Sequence, residues 1–253
     1  MEFKSVVIFV SLITFGTLET IFPFFNYRQS ISRKFFANLI LGLINVLFLN
    51  LTISLLLKSI WEQTSWLGFL NYINLNWLKF TISLLVLDGY MYLWHRLMHT
   101  SYLGWRLHLV HHTDNWMNIS TAYRFHIIEV ILSNFPKIGL IYLFGITPSH
   151  LLAYETLFAV CLLFHHSNWN LPVKIDKFLS YLLVTPNYHR AHHSQLIWEM
   201  QSNYASLLTI WDLIFKTRYY PKFPQVIKLG IEGENRNFTA IDLCKLPFSR
   251  KLK

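Results

Sequence analysis

Long runs of apolar residues constrain the fold of this chain more than any other feature. The runs cover residues 5–25, roughly 35–57, 77–94 and 127–164. A membrane-spanning helix needs about 20 mostly apolar residues, and each of the first three runs comes close to that length. The fourth run is about twice as long and is interrupted at Gly145 and Pro148, which suits two helices folded as a hairpin. The sequence therefore predicts an all-α integral membrane bundle of about four to five membrane helices.

Composition agrees with this fold class and excludes several others. Hydrophobic residues make up 53% of the 253 residues and charged residues only 14%, against roughly 25% charged in soluble domains. Disorder is excluded because it needs low hydrophobicity, and two cysteines are too few for a disulfide scaffold. The net charge of +9 fits anionic lipid headgroups better than nucleic acid, since no nucleic-acid-binding motif is present.

Basic residues predict the orientation of the bundle. The loop at 26–34 contains Arg28, Arg33 and Lys34, whereas the loop at 58–76 contains Lys58 as its one basic residue. By the positive-inside rule the first loop is cytoplasmic and the second external. The third run then crosses the membrane back to the cytoplasm, and the hairpin at 127–164 leaves and returns to the same side. Every histidine cluster is therefore expected at one cytoplasmic face. We therefore expect a multi-pass protein of a bacterial inner membrane or the endoplasmic reticulum, capped by a cytoplasmic, helical, histidine-rich metal site.

The 12 histidines are mostly grouped. The groups are His95-x-x-x-His99, His108-x-x-His111-His112, His165-His166 and His189-x-x-His192-His193, while His126 and His150 stand apart. Residues at i, i+3 and i+4 share one face of a helix, so each spaced group can direct two or three imidazoles to one point. Two HxxHH triplets arise by chance in roughly one chain in a few thousand, so the pattern indicates a metal site.

The number of histidines favours two redox-active ions. A structural zinc site is closed by four ligands, typically rich in cysteine, and no cysteine lies in these clusters. The clusters hold too many imidazoles for one ion and enough for two, which indicates iron and dioxygen chemistry. Spacing alone is equally compatible with zinc. His150 is expected to lie outside the site, in the turn at Pro148, and His165 to matter less than His166.

The motifs resemble, in order, those of the fatty acid hydroxylase superfamily, also called the sterol desaturase family. They are DGYMYLWHRLMH (88–99), HLVHHTD (108–114), RFHIIE (124–129), HHSNWNLP (165–172), NYHRAHHS (187–194) and NYASLLTIWDLIFKT (203–217). The resemblance covers about 88–217. One departure is Ile127, which stands where the family usually has a proline after the histidine.

The resemblance implies a histidine-bound di-iron centre that uses O2 and external electrons to hydroxylate, desaturate or oxidatively cleave lipids. This di-metal centre is itself the catalytic group. The ligands that it implies are His95, His99, His108, His111, His112, His126, His166, His189, His192 and His193. Metal-bound histidines normally donate their other N–H to a carboxylate or carbonyl. Polar side chains predicted to support the ligands are Asp88, Asp114, Glu129, Asn168, Asn203 and Asp212.

Partners and organisation follow from what the sequence lacks and where it is basic. It contains no GxGxxG fingerprint and no cysteine cluster, so we expect a cytochrome b5-like or ferredoxin-like donor. Lys216, Arg218 and Lys222 are the candidate docking residues for this donor, and the expected substrate is a lipid from the bilayer.

We divide the chain into membrane helices (1–76), a catalytic domain (77–219) and a basic cytoplasmic tail (220–253). A membrane metal-binding or transport protein and an inactive family member are the alternatives.

Overall fold

The computed structural model describes residues 2–27, 32–62 and 68–249, and within them the regular elements are helices. Arg28, on which the orientation argument partly depends, lies outside the described residues, as do residues 250–253. The α-helices are α1 (Glu2–Ile21), α2 (Ser32–Leu51), α3 (Ile53–Trp61), α4 (Asn76–Thr100), α5 (Tyr102–His112), α6 (Ile127–Phe144), α7 (Pro148–His166), α8 (Val173–Leu179), α9 (Pro186–His192), α10 (Ile197–Met200), α11 (Ile210–Ile214) and α12 (Ala240–Lys245). Short 3-10 helices cover Phe69–Tyr72, Ile119–Tyr123, Pro224–Val226 and Leu246–Phe248. The all-helical prediction is confirmed.

Three helical segments of the described chain are long and apolar enough to cross a membrane. They are Phe3–Ile21, Lys34–Trp61 and Ile127–Phe144. Helices α4 and α7 are also long, with 25 and 19 residues, but each ends in histidines, and α4 buries Asp88. Helices α4 and α7 carry polar groups of the site, which lowers their mean hydropathy, and the number of four to five membrane helices stays a prediction.

The apolar stretch at 127–164 is a helical hairpin, as its interruption predicts. Helix α6 ends at Phe144 and is followed by Gly145, which has a left-handed φ of 76°. Thr147 caps α7 by accepting a hydrogen bond from the His150 N–H at 3.3 Å. The turn packs tightly on Gly68, where an added Cβ would lie 2.2 Å from the Gly145 backbone nitrogen. A side chain at either glycine would therefore push the turn away from the segment before α4.

The chain after α7 returns to α4 and fixes the position of the histidines. Asp88 Oδ2 accepts hydrogen bonds from the Leu208 N–H at 3.1 Å and the Trp211 Nε1–H at 2.8 Å. Gly89 permits this approach, because a Cβ there would lie 2.9 Å from the Trp211 ring. Buried side chains of the largest hydrophobic cluster, among them Leu87 and Tyr188, fill the space between the two segments.

The described part of 220–253 packs onto the rest of the molecule. The Gly230 N–H donates to the His193 carbonyl at 3.0 Å, and Arg106 Nε donates to the Pro247 carbonyl at 2.5 Å. Leu243 is fully buried in a cluster with Leu41 of α2. This segment therefore helps to hold α2 against α5, a role that its basic composition did not indicate.

Candidate metal centre

Nine of the ten predicted ligands converge in two buried groups. In each group, one potential ligand atom from every residue lies within 4.8 Å of those from the others. The five-histidine group consists of His95, His99, His108, His112 and His192. The four-histidine group consists of His111, His166, His189 and His193. The two HxxHH motifs each contribute to both groups, because adjacent histidines on a helix point in different directions.

Distances between ring nitrogens match those of ligands around a common ion. His192 Nε2 lies 2.9 Å from His95 Nε2, and His166 Nε2 lies 3.1 Å from His111 Nε2 and 3.0 Å from His189 Nε2. Two nitrogens at right angles around an ion, each about 2.1 Å from it, are roughly 3 Å apart. The two groups adjoin where the rings of His112 and His193 stack at 4.5 Å, so the arrangement suits a pair of neighbouring ions.

Burial keeps these imidazoles in the form that binds metals. Burial, reinforced by the neighbouring histidines, lowers the pKa of each of five histidines outside the long helices well below its ordinary value. They are His111, His112, His189, His192 and His193. A neutral imidazole has a free lone pair, whereas a protonated one has none. These five imidazoles are therefore held toward the neutral form that binds cations.

Several ring nitrogens at the centre have no hydrogen-bond partner. Both nitrogens of His99 and of His112 are buried and unpartnered, and so is His108 Nε2. An unsatisfied buried polar atom costs roughly 1–3 kcal/mol, so this many in one place would be strongly destabilising. A cation in the five-histidine group would use these lone pairs. In the four-histidine group His166 Nε2 already lies 3.0–3.1 Å from the Nε2 atoms of His111 and His189, so the donor set fits two metal ions.

The outer nitrogens of four predicted ligands are held by hydrogen bonds. The Nδ1–H groups of His95, His192 and His166 donate to the carbonyls of Tyr204, Ser202 and Leu162 at 2.8, 2.7 and 2.8 Å. The His108 Nδ1–H donates to Glu129 Oε1 at 2.7 Å. These bonds fix the tautomer and leave Nε2 for the centre. Among the six predicted supporting side chains, Glu129 is the one that hydrogen-bonds a ligand directly.

Two other predicted supports act through the backbone. Asp212 accepts hydrogen bonds from the Tyr204 and Ala205 N–H groups at 2.9 and 3.0 Å. Asn203 has a left-handed φ of 57° and donates its amide to the Tyr188 carbonyl at 2.8 Å. Together they shape the turn whose Ser202 and Tyr204 carbonyls orient ligands. Every residue has a backbone carbonyl, so the sequence does not indicate which carbonyls accept hydrogen bonds from the histidines.

The remaining three predicted supports stabilise the fold at a distance from the ligands. Asp88 connects α4 to the segment at α11, as described above. Asp114 accepts hydrogen bonds from Asn38 Nδ2 at 3.2 Å and Thr121 Oγ1 at 2.8 Å. Asn168 exchanges hydrogen bonds with the Phe25 backbone at 2.9 Å. Their side chains connect different segments of the fold, and none is hydrogen-bonded to the ring of a predicted ligand.

The structure places His126 outside both groups, unlike the resemblance-based assignment. Its Nδ1 accepts a hydrogen bond from the Ile128 N–H at 3.2 Å, which caps α6, and its Nε2 donates to the Cys244 carbonyl at 3.1 Å. Both ring nitrogens are therefore in use. His150 contacts Ser83 at the opposite end of α4, 3.2 Å away, in agreement with its predicted location outside the site.

Aromatic side chains that the sequence analysis did not single out enclose the centre. The Phe125 ring stacks on His111 at 4.3 Å, and the rings of Trp105 and Tyr204 both lie 5.2 Å from that of His99. Phe125 and Trp105 lie close in sequence to motif histidines. Because the chain contains so many aromatic residues, this closeness in sequence does not predict that their rings contact the site. These rings add apolar surface around the candidate centre.

We expect His166→Ala to weaken metal binding more than His165→Ala. His166 Nε2 contacts two other ring nitrogens of the four-histidine group. His165 is also fully buried, and its ring lies 4.2 Å from that of His189, but it belongs to neither group. Metal content of the two purified variants, measured by elemental analysis, tests the difference. Equal loss of metal from both would contradict this division.

Comparison with known proteins places these motifs in a family context. The fatty acid hydroxylase profile matches residues 80–217, more than half of the chain. Ornithine lipid hydroxylase OlsE of Rhizobium tropici is 30% identical over 174 residues, which are 67% of this chain and 50% of that protein. The alkylglycerol monooxygenase of Danio rerio is 32% identical over 60% of this chain, which is 32% of the length of that protein. The alkylglycerol monooxygenase of Homo sapiens is 32% identical over 56% of this chain, which is 30% of the length of that protein. The match thus spans half or less of these relatives, and no solved structure matches significantly.

Proposed function

Because the chain belongs to the fatty acid hydroxylase family, we propose that it is a membrane-bound, O2-dependent monooxygenase with a di-iron centre that hydroxylates a lipid. The relatives named above are a lipid hydroxylase and monooxygenases, which supports lipid oxidation. Three apolar helices give the protein access to the bilayer, where such substrates dissolve. The division of the chain at 77–219 stays a proposal that the family match at 80–217 supports.

The observation that carries the proposal is the pairing of two adjacent, buried histidine groups. Nine imidazoles are more than one ion can bind, and imidazole suits iron as well as zinc. Iron, when bound, supplies the redox chemistry that activates O2 toward an unreactive C–H bond. A metal transporter would place its ligands in broken helices at mid-membrane, whereas these ligands gather where α4 and α7 end.

The chain's own residues position the ligands and cover part of the rings with apolar surface. Glu129 and the carbonyls of Ser202, Tyr204 and Leu162 hold four imidazole rings in one tautomer and one orientation. Phe125 and Tyr204 cover the rings with apolar surface, which lowers the local dielectric constant. These contacts hold the ligand rings in place before any substrate arrives.

Electrons must come from a partner, for which we propose a cytochrome b5-like or ferredoxin-like protein. Of the three predicted docking residues, Lys216 and Lys222 are exposed. The third, Arg218, packs its guanidinium over the Tyr181 ring at 4.3 Å. An acidic carrier would therefore meet the two lysines first.

The proposed topology places the histidine end of the bundle in the cytoplasm and the turn between α6 and α7 on the other side. Cysteines introduced at exposed Ser149 and exposed Lys222 are then expected to react with an impermeant thiol reagent from opposite faces of the membrane. Labelling of intact and opened cells measures this. Reaction of both from the same face would refute the topology.

The function itself is tested with purified protein. After iron loading and addition of a reduced electron donor, O2-dependent conversion of a lipid to a product heavier by one oxygen atom is expected in mass spectrometry. The same lipid is expected to accumulate unmodified in cells that lack the gene. Absence of oxidised lipid in both experiments would refute the proposal.

A further inference from the structure

A cleft of about 420 Å³ leads from the protein surface to His99, a member of the five-histidine group. Trp105, Leu109 and Met200 line it together with His99, and the Trp105 ring lies 5.2 Å from His99 and 5.4 Å from His112. Its volume falls within the roughly 300–1,000 Å³ of small-molecule sites. A molecule bound in this cleft would therefore reach a predicted metal ligand directly.

Large apolar side chains border the cleft on both sides. Tyr102 at the start of α5 is 74% exposed, and Ile197 at the start of α10 is 71% exposed. Their neighbours Leu103 and Trp198 are also exposed. Exposed apolar side chains at the border of a cleft suit a lipid or an apolar partner. Since Tyr102 and Ile197 line a cleft that also contains a predicted metal ligand, a lipid fits it better than a protein.

The polar part of the lining defines which headgroup the cleft accepts. Gln195, Gln201 and Glu232 lie along it, and none of the residues described as lining it is a lysine or an arginine. A phosphate headgroup would meet a carboxylate and no cation, which is unfavourable. Hydroxyl and amino groups, in contrast, can donate hydrogen bonds to the carboxylate and to the amide oxygens.

We propose that this cleft binds the substrate, a lipid without phosphate whose headgroup carries hydroxyl or amino groups. Part of its hydrocarbon chain lies on Trp105, Leu109 and Met200, and its headgroup lies at Glu232. Trp105 packs against the rings of His99 and His112, so its size sets how closely the chain approaches the centre. The inference rests on the proposed function and names the substrate class for it.

Direct binding without O2 tests the headgroup preference. The full chain, iron-loaded and embedded in bilayer discs of one fixed lipid composition, is titrated with three lipids of equal chain length: a monoalkylglycerol, an alkylamine lipid and a phosphatidic acid. Displacement of a fluorescent alkylglycerol reports the affinity. The first two are expected to bind at least ten times more tightly than the phosphatidic acid. Equal or tighter binding of the phosphatidic acid would overturn the proposal.

Substitutions at the border of the cleft and inside it test whether the lipid binds there. Ile197→Asp at the exposed border and Met200→Trp inside the cleft are expected to weaken binding of the alkylglycerol more than tenfold. The matched control is Phe178→Trp, an insertion of the same ring at a 75% exposed position that lines neither this cleft nor the neighbouring one, and it is expected to bind normally. Glu232→Gln is expected to weaken binding of the alkylamine lipid and to leave binding of the alkylglycerol unchanged. This difference separates the contact of an amino group from that of a hydroxyl group.

The outcomes distinguish this inference from the proposed function. Met200 is nearly buried, so Ile197→Asp provides the test if Met200→Trp does not fold. Unchanged binding in Ile197→Asp would overturn the cleft assignment even if the enzyme oxidises lipids. Binding that follows the expected pattern in a protein that oxidises no lipid would refute the proposed function and support the cleft as a lipid site.

Discussion

Replacing His192 by alanine is expected to abolish lipid oxidation and to reduce bound metal by about one ion per chain. His192 Nε2 lies 2.9 Å from His95 Nε2, and its ring lies 4.6 Å from that of His99 and 4.8 Å from that of His112. Removing it opens one side of the five-histidine group. Loss of groups that only support a ligand costs about 10–100-fold in affinity or activity, so loss of a ligand is expected to cost more than about 100-fold.

The measurement combines elemental analysis with a product assay, and His150→Ala is the matched control. His150 contacts Ser83 at the end of α4 away from the site, so the control is expected to retain both iron and activity. Comparable amounts of both variants in the membrane would show that folding is intact. A His192→Ala protein with full metal content and normal turnover would remove this residue from the centre.

The sequence predicts the fold class and most of the site because both depend on local patterns. Apolar runs of membrane length predict helices, and the interruption at Gly145 and Pro148 predicts the turn between α6 and α7. Histidine spacing of three and four residues likewise predicts which rings share a helical face. The local pattern does not specify that His111 and His112 serve different groups, since this depends on where α7 and α9 lie.

Features that depend on tertiary packing could not be predicted in this way. The carbonyls of Ser202 and Tyr204 orient ligands, and every residue has a carbonyl. His126 lies in a motif with a histidine at the expected place, yet its ring caps α6 and bonds to the Cys244 carbonyl. The packing of the last segment onto α2 and α5 involves ordinary apolar residues, so its basic composition gave no indication of it.

Glu129→Ala is expected to lower activity and the affinity for metal about 10–100-fold without unfolding the protein. Glu129 Oε1 accepts the hydrogen bond from the His108 Nδ1–H at 2.7 Å, and both side chains are buried. Without this acceptor, the His108 ring loses its fixed tautomer and part of its basicity, and its Nδ1–H is left buried without a partner. Apparent metal affinity from competition with a chelator and turnover at saturating metal measure the two effects.

The conservative variant Glu129→Gln separates orientation from charge. The glutamine carbonyl oxygen can still accept the hydrogen bond, so the ring keeps its orientation, but the negative charge that raises ligand basicity is lost. We therefore expect Glu129→Gln to lie between the native protein and Glu129→Ala in metal affinity, while Glu62→Gln, at an exposed position paired with Lys58, has no effect. If Glu129→Gln were as impaired as Glu129→Ala, the carboxylate would act chiefly through its charge. Native behaviour of Glu129→Ala would show that His108 needs no partner, because the metal and the surrounding rings alone would then hold it.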